Sequence, residues 1–171
     1  GKSGYSPACP REWDVPFGSK TKQKGPIRTG DYFPLTDEVI RNHLLGKCTI
    51  GVYPLLPDEM CWFLAADFDK KTWQEDAMAF LETCRMLGVS AQLERSRSGN
   101  GGHVWIFFEE PVPAGLARKL GSHLLTQTME RRHQLGLDSY DRLFPSQDTM
   151  PKGGFGNLIA LPLQKGPRAK D

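Results

Sequence analysis

Residues 61–108 read CWFLAADFDKKTWQEDAMAFLETCRMLGVSAQLERSRSGNGGHVWIFF, and this stretch decides the fold. Its first segment, 61–69, is apolar with little alternation, which is typical of a strand buried on both faces. A helix is predicted next, because Thr72 followed by Glu75 matches a capping box and apolar residues then recur at helical spacing. Gly88 ends this helix. The stretch therefore begins as a strand joined to an amphipathic helix.

The segments that follow continue this alternation. Strands are predicted at 89–95 and 103–108, on either side of a glycine-rich loop. Pro113 opens a second helix, which is expected to end near residue 132. Two short strands at 140–144 and 157–163 come last, and a turn rich in proline and glycine joins them into a hairpin. The resulting order is β-α-β-β-α-β with an elaborated final strand.

This order predicts an α+β fold with an RRM-like, or ferredoxin-like, core. Right-handed crossovers place the first and third strands side by side, with the fourth strand flanking the first. The first strand ends at Asp67 and Asp69, and the antiparallel third strand opens at His103. The two acids and the histidine are therefore expected at the same end of the sheet.

An N-terminal extension is predicted before this core. Residues 1–30 are rich in proline, glycine, serine and lysine, which predicts an irregular basic arm. A helix capped by Thr36 and a strand at 50–55 follow, so the main domain is predicted to span 31–171. The arm contains a charge run that is either solvated or a nucleic-acid contact. The lysines of this run are Lys20, Lys22 and Lys24.

The composition fits one domain with a core. The chain has 171 residues, of which 39% are apolar, a net charge of +2 and a mean hydropathy of −0.46. No apolar run approaches the roughly 18 residues of a membrane span, and no signal peptide opens the chain, so no membrane contact is expected. Cys61 and Cys84 lie in apolar segments, which predicts core thiols in a reduced cytoplasmic setting. The abrupt start predicts a domain excised from a longer protein.

Asp67 and Asp69 form the first candidate site. They stand two residues apart on a strand, so both side chains leave one face while Phe68 points into the core. Two carboxylates this close repel each other, and one pKa rises unless a cation lies between them. Oxygen ligands favour Mg²⁺ or Mn²⁺. The pair is also compatible with solvated acids that Lys70 and Lys71 neutralise.

The loop SGNGGH, residues 98–103, is the second candidate, because it ends on a histidine that leads a strand. Backbone N–H groups in a glycine-rich turn can form a nest for phosphate oxygens. Ser98 and His103 can donate hydrogen bonds to the same phosphates, and Arg97 adds positive charge. A hairpin turn with a satisfied histidine is the alternative. The predicted topology favours phosphate binding, because it brings this loop over the carboxylate pair.

A further acid in the final segment could complete a metal site. Asp141 enters the predicted strand 140–144 and is the preferred third ligand, whereas Asp148 lies in the turn. Either residue is also compatible with an ordinary turn acid. Lys152 could meet a phosphate or could simply be solvated.

These elements, in this order, resemble the archaeo-eukaryotic primase superfamily, the primase-polymerases. The matching motifs are a strand ending in DxD, an sGxGxH element and a later acid, here FLAADFD, SGNGGH and YDRLFPSQD. The wider segments YFPLTDEVIRNHL and GFGNLIALPLQ resemble the primase domain of bacterial TOTE conflict systems and related CRISPR-associated primase-polymerases. The resemblance covers about residue 31 to the end.

The resemblance implies a role for each matching position. The residues implied to bind two catalytic ions, Mg²⁺ or Mn²⁺, are Asp67, Asp69 and Asp141. The residues implied to hold the triphosphate of an incoming nucleotide are Ser98, Gly99, Gly101 and His103. Some relatives carry a cysteine-rich element before the FPLTD segment, but here that region reads GSKTKQKGPIRTGDYFPLTD. We therefore predict no zinc.

The implied activity is that of a DNA primase-polymerase, a nucleotidyltransferase that adds (d)NTPs on a template and releases pyrophosphate. The implied partners are a single-stranded DNA template, a primer and (d)NTPs, together with helicase, nuclease or CRISPR adaptation modules of a prokaryotic parent protein. Two other classes fit the same residues. One is a non-catalytic, RRM-like module that binds single-stranded nucleic acid. The other is a metal-dependent nuclease, which also needs clustered acids and a histidine.

Overall fold

The computed structural model describes Ala8 and residues 32–132, 136–152 and 154–169. Contacts divide the chain into two units, one ending at Arg41 and the other starting at Asn42, and the candidate site lies in the second. The predicted arm, including Lys20, Lys22 and Lys24, lies outside the described residues except for Ala8.

The elements, in chain order, are α1 (Asp37–Leu44), β1 (Gly51–Val52), β2 (Met60–Phe68), α2 (Trp73–Met86), β3 (Gln92–Arg95), β4 (Gly102–Pro113), α3 (Ala114–Arg131), β5 (Tyr140–Phe144), β6 (Ile159–Ala160) and α4 (Lys165–Arg168).

A four-stranded antiparallel sheet forms the centre of the second unit, with the strand order β3-β4-β2-β5. Helices α2 and α3 pack on one face and bury an apolar core against it. Phe68 of β2 lies in this core beside Phe80 of α2, with ring centroids 5.7 Å apart. The predicted mixed α/β class and the adjacency of the first and third strands are both present.

A second, two-stranded sheet pairs β1 with β6 and covers part of the opposite face. The prediction that 157–163 forms a hairpin with 140–144 was wrong. Ile159 instead crosses the sheet face and is buried against Ala65, Trp105 and Phe144. This position removes apolar area from water on a face that would otherwise be open, which pairing at the edge of β5 would not do.

The predicted capping box at the start of α2 was also wrong. Thr72 has φ −96° and ψ 10°, and its side chain makes no capping hydrogen bond. Its hydroxyl donates instead to the Asp76 carboxylate, over 3.2 Å. Asp76 is almost fully buried, so its oxygens compete successfully for a nearby donor. On α3, Leu124 is buried, whereas Leu116 is 58% exposed.

The segment before α4 is held in place by the buried side chain of Gln164. Gln164 is 5% exposed, and its Nε2 donates to the Cys48 carbonyl and to the Thr49 hydroxyl. His43 is 1% exposed and contacts the Pro162 carbonyl through Nε2, over 3.0 Å. These buried polar groups have partners, as burial requires, and they attach the segment before α4 to the segment before β1. None of the helices among the described residues is long and apolar enough to span a bilayer.

Candidate metal and phosphate site

Asp67 and Asp69 lie at the end of β2, where the strand leaves the sheet. Asp67 is still on the strand and its side chain is 13% exposed, whereas Asp69 follows the strand and is exposed. Phe68, between them, is fully buried on the helix-covered face. The pleat therefore turns both carboxylates to the other face, as the spacing predicted.

Asp141 reaches the same place because β5 is irregular there. Asp67 is the register partner of Arg142, and Phe68 is the partner of Tyr140, so Asp141 is an extra residue in the pairing. Such a bulge re-aims a side chain, and here it turns Asp141 to the side of the sheet where Arg142 already faces Asp67. Arg142 Nε donates to Asp141 Oδ2 over 2.6 Å.

One carboxylate oxygen from each of Asp67, Asp69 and Asp141 lies within 4.8 Å of the others. We call these three residues the acid triad. Three hard oxygen donors at this spacing fit a divalent ion of the Mg²⁺ or Mn²⁺ type. Asp148, the alternative third acid, is exposed and forms an ion pair with Arg118 instead. The geometry therefore groups Asp141, and not Asp148, with the pair on β2.

His103 faces the acid triad from the neighbouring strand. It is the register partner of Asp67, and its Nε2 lies 3.5 Å from Asp67 Oδ1. On its other side, Nδ1 lies 3.1 Å from Glu94 Oε2, which also accepts from Trp105 Nε1 over 3.0 Å. Glu94 thereby fixes the imidazole plane, so that Nε2 points towards the acid triad.

Together these residues form a row of charges across all four strands. Glu94 pairs in register with His103, His103 with Asp67, and Asp67 with Arg142. The row is an acid, an imidazole, an acid and a guanidinium, in the order β3, β4, β2 and β5. We call this set the charged row. Opposite charges thus alternate between neighbouring strands, which favours the close packing of four ionisable groups.

The site perturbs the pKa values of its members. Burial raises the pKa of Asp67 from 3.8 to about 6, and the negative charges of Asp69 and Asp141 add to the rise, while His103 and Arg142 oppose it. Burial lowers the pKa of His103, but the Glu94 hydrogen bond and the charge of Asp67 outweigh burial, so the net direction is upward. Strong perturbation in one place is typical of a functional site.

The glycine loop lies against the triad at Gly101. A Cβ at Gly101 would lie 2.8 Å from the Phe68 carbonyl and would clash with the Asp69 carboxylate, so only glycine fits. Gly99 has φ +80°, a conformation that glycine adopts without strain. Ser98 accepts from the Asn100 N–H over 3.1 Å, and Arg97 donates to the Thr49 hydroxyl over 3.0 Å.

The structure does not bring all predicted residues to the acids. Among the described residues, no hydrogen bond or ion pair joins Ser98, Gly99, Arg97 or Lys152 to the acid triad. Lys152 is exposed in the β5–β6 connection. Of the predicted phosphate-binding residues, His103 and Gly101 are the two in contact with the carboxylates.

A known family model matches the whole chain. The family model described as the TOTE conflict system, archaeo-eukaryotic primase domain, matches residues 1–171. The chain belongs to this family. A comparison with curated proteins finds no match.

Membership in the archaeo-eukaryotic primase family gives the site a chemical context. Domains of this family are nucleotidyltransferase-like and typically use divalent metals, and the acid triad is a cluster of carboxylates that could hold such an ion. The resemblance drawn from the three sequence motifs is thus confirmed at the level of the family. Residue roles are argued below as proposals.

Several residues that shape this primase-family site were not singled out from the sequence. Glu94 and Arg142 complete the charged row. Asp76 and Ser139 hold the end of β2: the Asp69 N–H donates to the Ser139 carbonyl over 2.7 Å, and the Ser139 hydroxyl donates to Asp76 over 2.6 Å. Glu94 could have been found by pairing the second and third strands across the glycine loop. The other three depend on tertiary contacts or on the bulge.

Proposed function

We propose that this chain is the catalytic domain of a DNA primase-polymerase, which carries out template-directed nucleotidyl transfer on an RRM-like core. The observation that carries the proposal is the convergence of Asp67, Asp69 and Asp141 within 4.8 Å, with His103 beside them. Clustered acids and a cationic donor are the parts that phosphoryl-transfer chemistry requires.

The acid triad is proposed to hold two Mg²⁺ or Mn²⁺ ions. When bound, such ions lower the pKa of an attacking 3′-hydroxyl and neutralise charge that develops on the phosphates. Asp67 is buried between two neighbouring strands and is the most rigidly placed ligand of the three. Asp141 depends on the β5 bulge for its direction, and Asp69 on the Ser139 hydrogen bond.

His103 is proposed to donate from Nε2 to the triphosphate of a bound (d)NTP. Its Nδ1 is committed to Glu94, which leaves Nε2 as the atom that faces the acid triad. Gly101 allows the loop backbone to lie close to Asp69, and Ser98 supplies a hydroxyl in the same loop. Arg97, held by Thr49, adds positive charge to the loop rather than to the triad.

The proposed partners follow from this activity. They are a single-stranded DNA template with its primer, (d)NTPs, and helicase, nuclease or CRISPR adaptation modules of a prokaryotic parent protein. Lys152, and the arm lysines outside the described residues, are proposed as weak nucleic-acid contacts. Binding measurements with each partner test these proposals, because the geometry of the acid triad does not bear on them.

An extension assay with template, labelled primer, nucleotides and Mn²⁺ tests the function. We expect the Asp67→Ala, Asp69→Ala double variant and Asp141→Ala to lose at least a hundredfold in rate, because each removes metal ligands. Asp148→Ala is the matched control, since Asp148 is an exposed acid outside the triad. Wild-type extension by the double variant would reject the proposal, and shortening of the primer would indicate a nuclease.

A second candidate is a non-catalytic module that binds single-stranded nucleic acid. The observation that favours it is the aromatic pair on β4: Phe107 is 60% exposed, and its ring is stacked on Trp105 with centroids 5.9 Å apart. Exposed aromatic rings on a sheet can stack on bases. Metal-independent DNA binding that Phe107→Ala weakens and Asp67→Ala leaves unchanged, without extension, would select this function.

A further inference from the structure

Arg142 is the one residue of the charged row whose place in the proposed chemistry has not been assigned above. Its Nε donates to Asp141 Oδ2 over 2.6 Å, and it is the register partner of Asp67 on the neighbouring strand. Its positive charge also acts on Asp67 and Asp69. The guanidinium of Arg142 therefore interacts electrostatically with all three carboxylates of the acid triad.

A divalent ion and the guanidinium of Arg142 would compete for the negative charge of the Asp141 carboxylate. A Mg²⁺ ion binds carboxylate oxygens at about 2.1 Å, and Asp141 Oδ2 already accepts a short hydrogen bond from the guanidinium. An ion between the three carboxylates would also lie close to Arg142 and repel it. Repulsion by a bound ion would therefore weaken the contact between Arg142 and Asp141 and favour release of the guanidinium.

The position of Arg142 allows such a movement. Its side chain is 48% exposed, so the guanidinium can turn into solvent without opening a cavity. Asp67, by contrast, is enclosed by β4 and β5 and stays in place. The bulge places Asp141 on the Asp67 side of the sheet, and the hydrogen bond from Arg142 orients its carboxylate there.

We infer that Arg142 is the built-in counter-cation of the acid triad: it holds Asp141 in the ligand position before metal binding and is displaced from it by the incoming divalent ion. This inference rests on the proposed function only in requiring that the triad binds a divalent ion. It assigns to Arg142 a positioning role that lies outside the set of residues holding metal or triphosphate.

Mn²⁺ binding to the nucleotide-free protein tests the exchange, with free Mn²⁺ measured by electron paramagnetic resonance. We expect Arg142→Ala and Arg142→Gln to bind Mn²⁺ roughly fivefold more tightly than wild type, because a competing partly exposed ion pair is gone. Arg142→Lys keeps the charge and should stay within about twofold of wild type. Without metal, Arg142→Ala and Arg142→Gln should have a lower melting temperature than wild type. This difference in melting temperature should shrink at saturating Mn²⁺.

Two controls separate local exchange from a general change of charge. Lys71→Ala removes one positive charge from an exposed residue close to Asp69 in sequence, and it should change Mn²⁺ affinity much less than Arg142→Ala does. In an Asp141→Ala background, Arg142→Ala should tighten Mn²⁺ binding much less, since the displaced partner is absent and only the charge effect on Asp67 and Asp69 remains.

Unchanged or weaker Mn²⁺ binding by Arg142→Ala overturns the inference, as does an equal effect of Lys71→Ala. Absence of Mn²⁺ binding in both wild type and Arg142→Ala overturns it as well. A wild-type protein that shows the expected Mn²⁺ exchange but extends no primer keeps the inference and rejects the proposed polymerase function. The two ideas therefore fail by different results.

Discussion

At the scale of single residues, the ionised form of the Asp67 carboxyl group is unfavourable in the metal-free protein. Burial is the largest cause of its raised pKa, and repulsion by Asp69 and Asp141 is smaller. Repulsion within the acid pair was the cause argued from the sequence, so the direction was predictable but the main cause was not. Enclosure of Asp67 depends on β4 and β5, which are 35 or more residues away in sequence.

We expect Asp67→Asn to stabilise the metal-free protein at neutral pH. The pKa of Asp67 is about 6 in the folded protein and 3.8 in the unfolded chain. The protonated carboxyl group therefore contributes fully to stability below pH 3.8, and this contribution is lost as pH rises through 6. Urea unfolding at pH 7.5 should show a gain on the order of 2 kcal/mol, with a smaller gain at pH 5. Mn²⁺ should stabilise wild type but not the variant.

Asp148→Asn is the control for this prediction, because Asp148 is an exposed acid paired with Arg118. Its effect on unfolding should be within about 0.5 kcal/mol at both pH values. An Asp67→Asn protein that is less stable than wild type at pH 7.5, without metal, would contradict the assigned burial cost.

Glu94 and Arg142 show why single residues are hard to assign from sequence. Each is a charged residue next to a motif, and its role in the site depends on the residue that it pairs with on a neighbouring strand. Asp141 joins Arg142 on the Asp67 side of the sheet only because β5 contains a bulge there. No local sequence pattern specifies that extra residue.

At the scale of elements, the glycine loop and the end of β2 fit together as one surface. Gly101 lies so close to Phe68 and Asp69 that a methyl group has no room, whereas Gly102 lies against the Trp73 ring. The loop was predicted to approach phosphates through its glycines. In the structure, the Gly101 position first of all allows the loop to approach the protein's own carboxylate.

Replacing Gly101 by Ala should therefore damage the site through the backbone. We expect a loss of about 1–3 kcal/mol in unfolding free energy, because the Phe68 carbonyl must shift to admit the Cβ. Mn²⁺ affinity should fall as well, since Asp69 is moved. Urea unfolding and Mn²⁺ titration measure the two effects.

Gly166→Ala provides the comparison, because a Cβ there meets nothing within 4 Å. This change in α4 should be neutral or slightly stabilising. If Gly101→Ala unfolds and binds Mn²⁺ like Gly166→Ala, the close approach of the loop to the triad is not required.

The elements themselves were predicted with uneven success. Strands β2 and β4 and helices α2 and α3 follow from long periodic segments, and the crossover rule makes β2 and β4 neighbours. The strands predicted at 50–55 and 157–163 are present but shorter, as β1 and β6. The predicted pairing of the last strand was wrong, because β1 and β6 pair over only two residues and are remote from each other in sequence. Local pattern does not specify such a partner.

At the scale of the whole molecule, two cysteines report on the integrity of the core. Cys61 in β2 and Cys84 in α2 are both fully buried and free, whereas Cys48 is exposed. Burial raises the pKa of both core thiols to about 11. Cys84 lies in the core between α2 and the sheet, so its labelling requires α2 to move away from the sheet.

In native buffer at pH 8, iodoacetamide should modify Cys48 at least a hundredfold faster than Cys61 or Cys84, because thiolate and access are both needed. In 8 M urea the three rates should converge. Peptide mass spectrometry over time measures each site in one sample, with Cys48 as the internal control. Native labelling of Cys84 at the rate of Cys48 would show that α2 is not closed on the sheet.

The buried contacts of Gln164 and His43 also determine how the second unit responds to tension. They join chain positions that are 116 and 119 residues apart, right beside the antiparallel β1–β6 pair. A force that separates β1 from β6 would load these hydrogen bonds and the packing of Ile159 on the four-stranded sheet before it breaks the pairing within that sheet. Thr49, which holds Arg97 in the glycine loop, would be released at that step. Pulling on this junction would thus be felt in the glycine loop before the acid triad is disturbed.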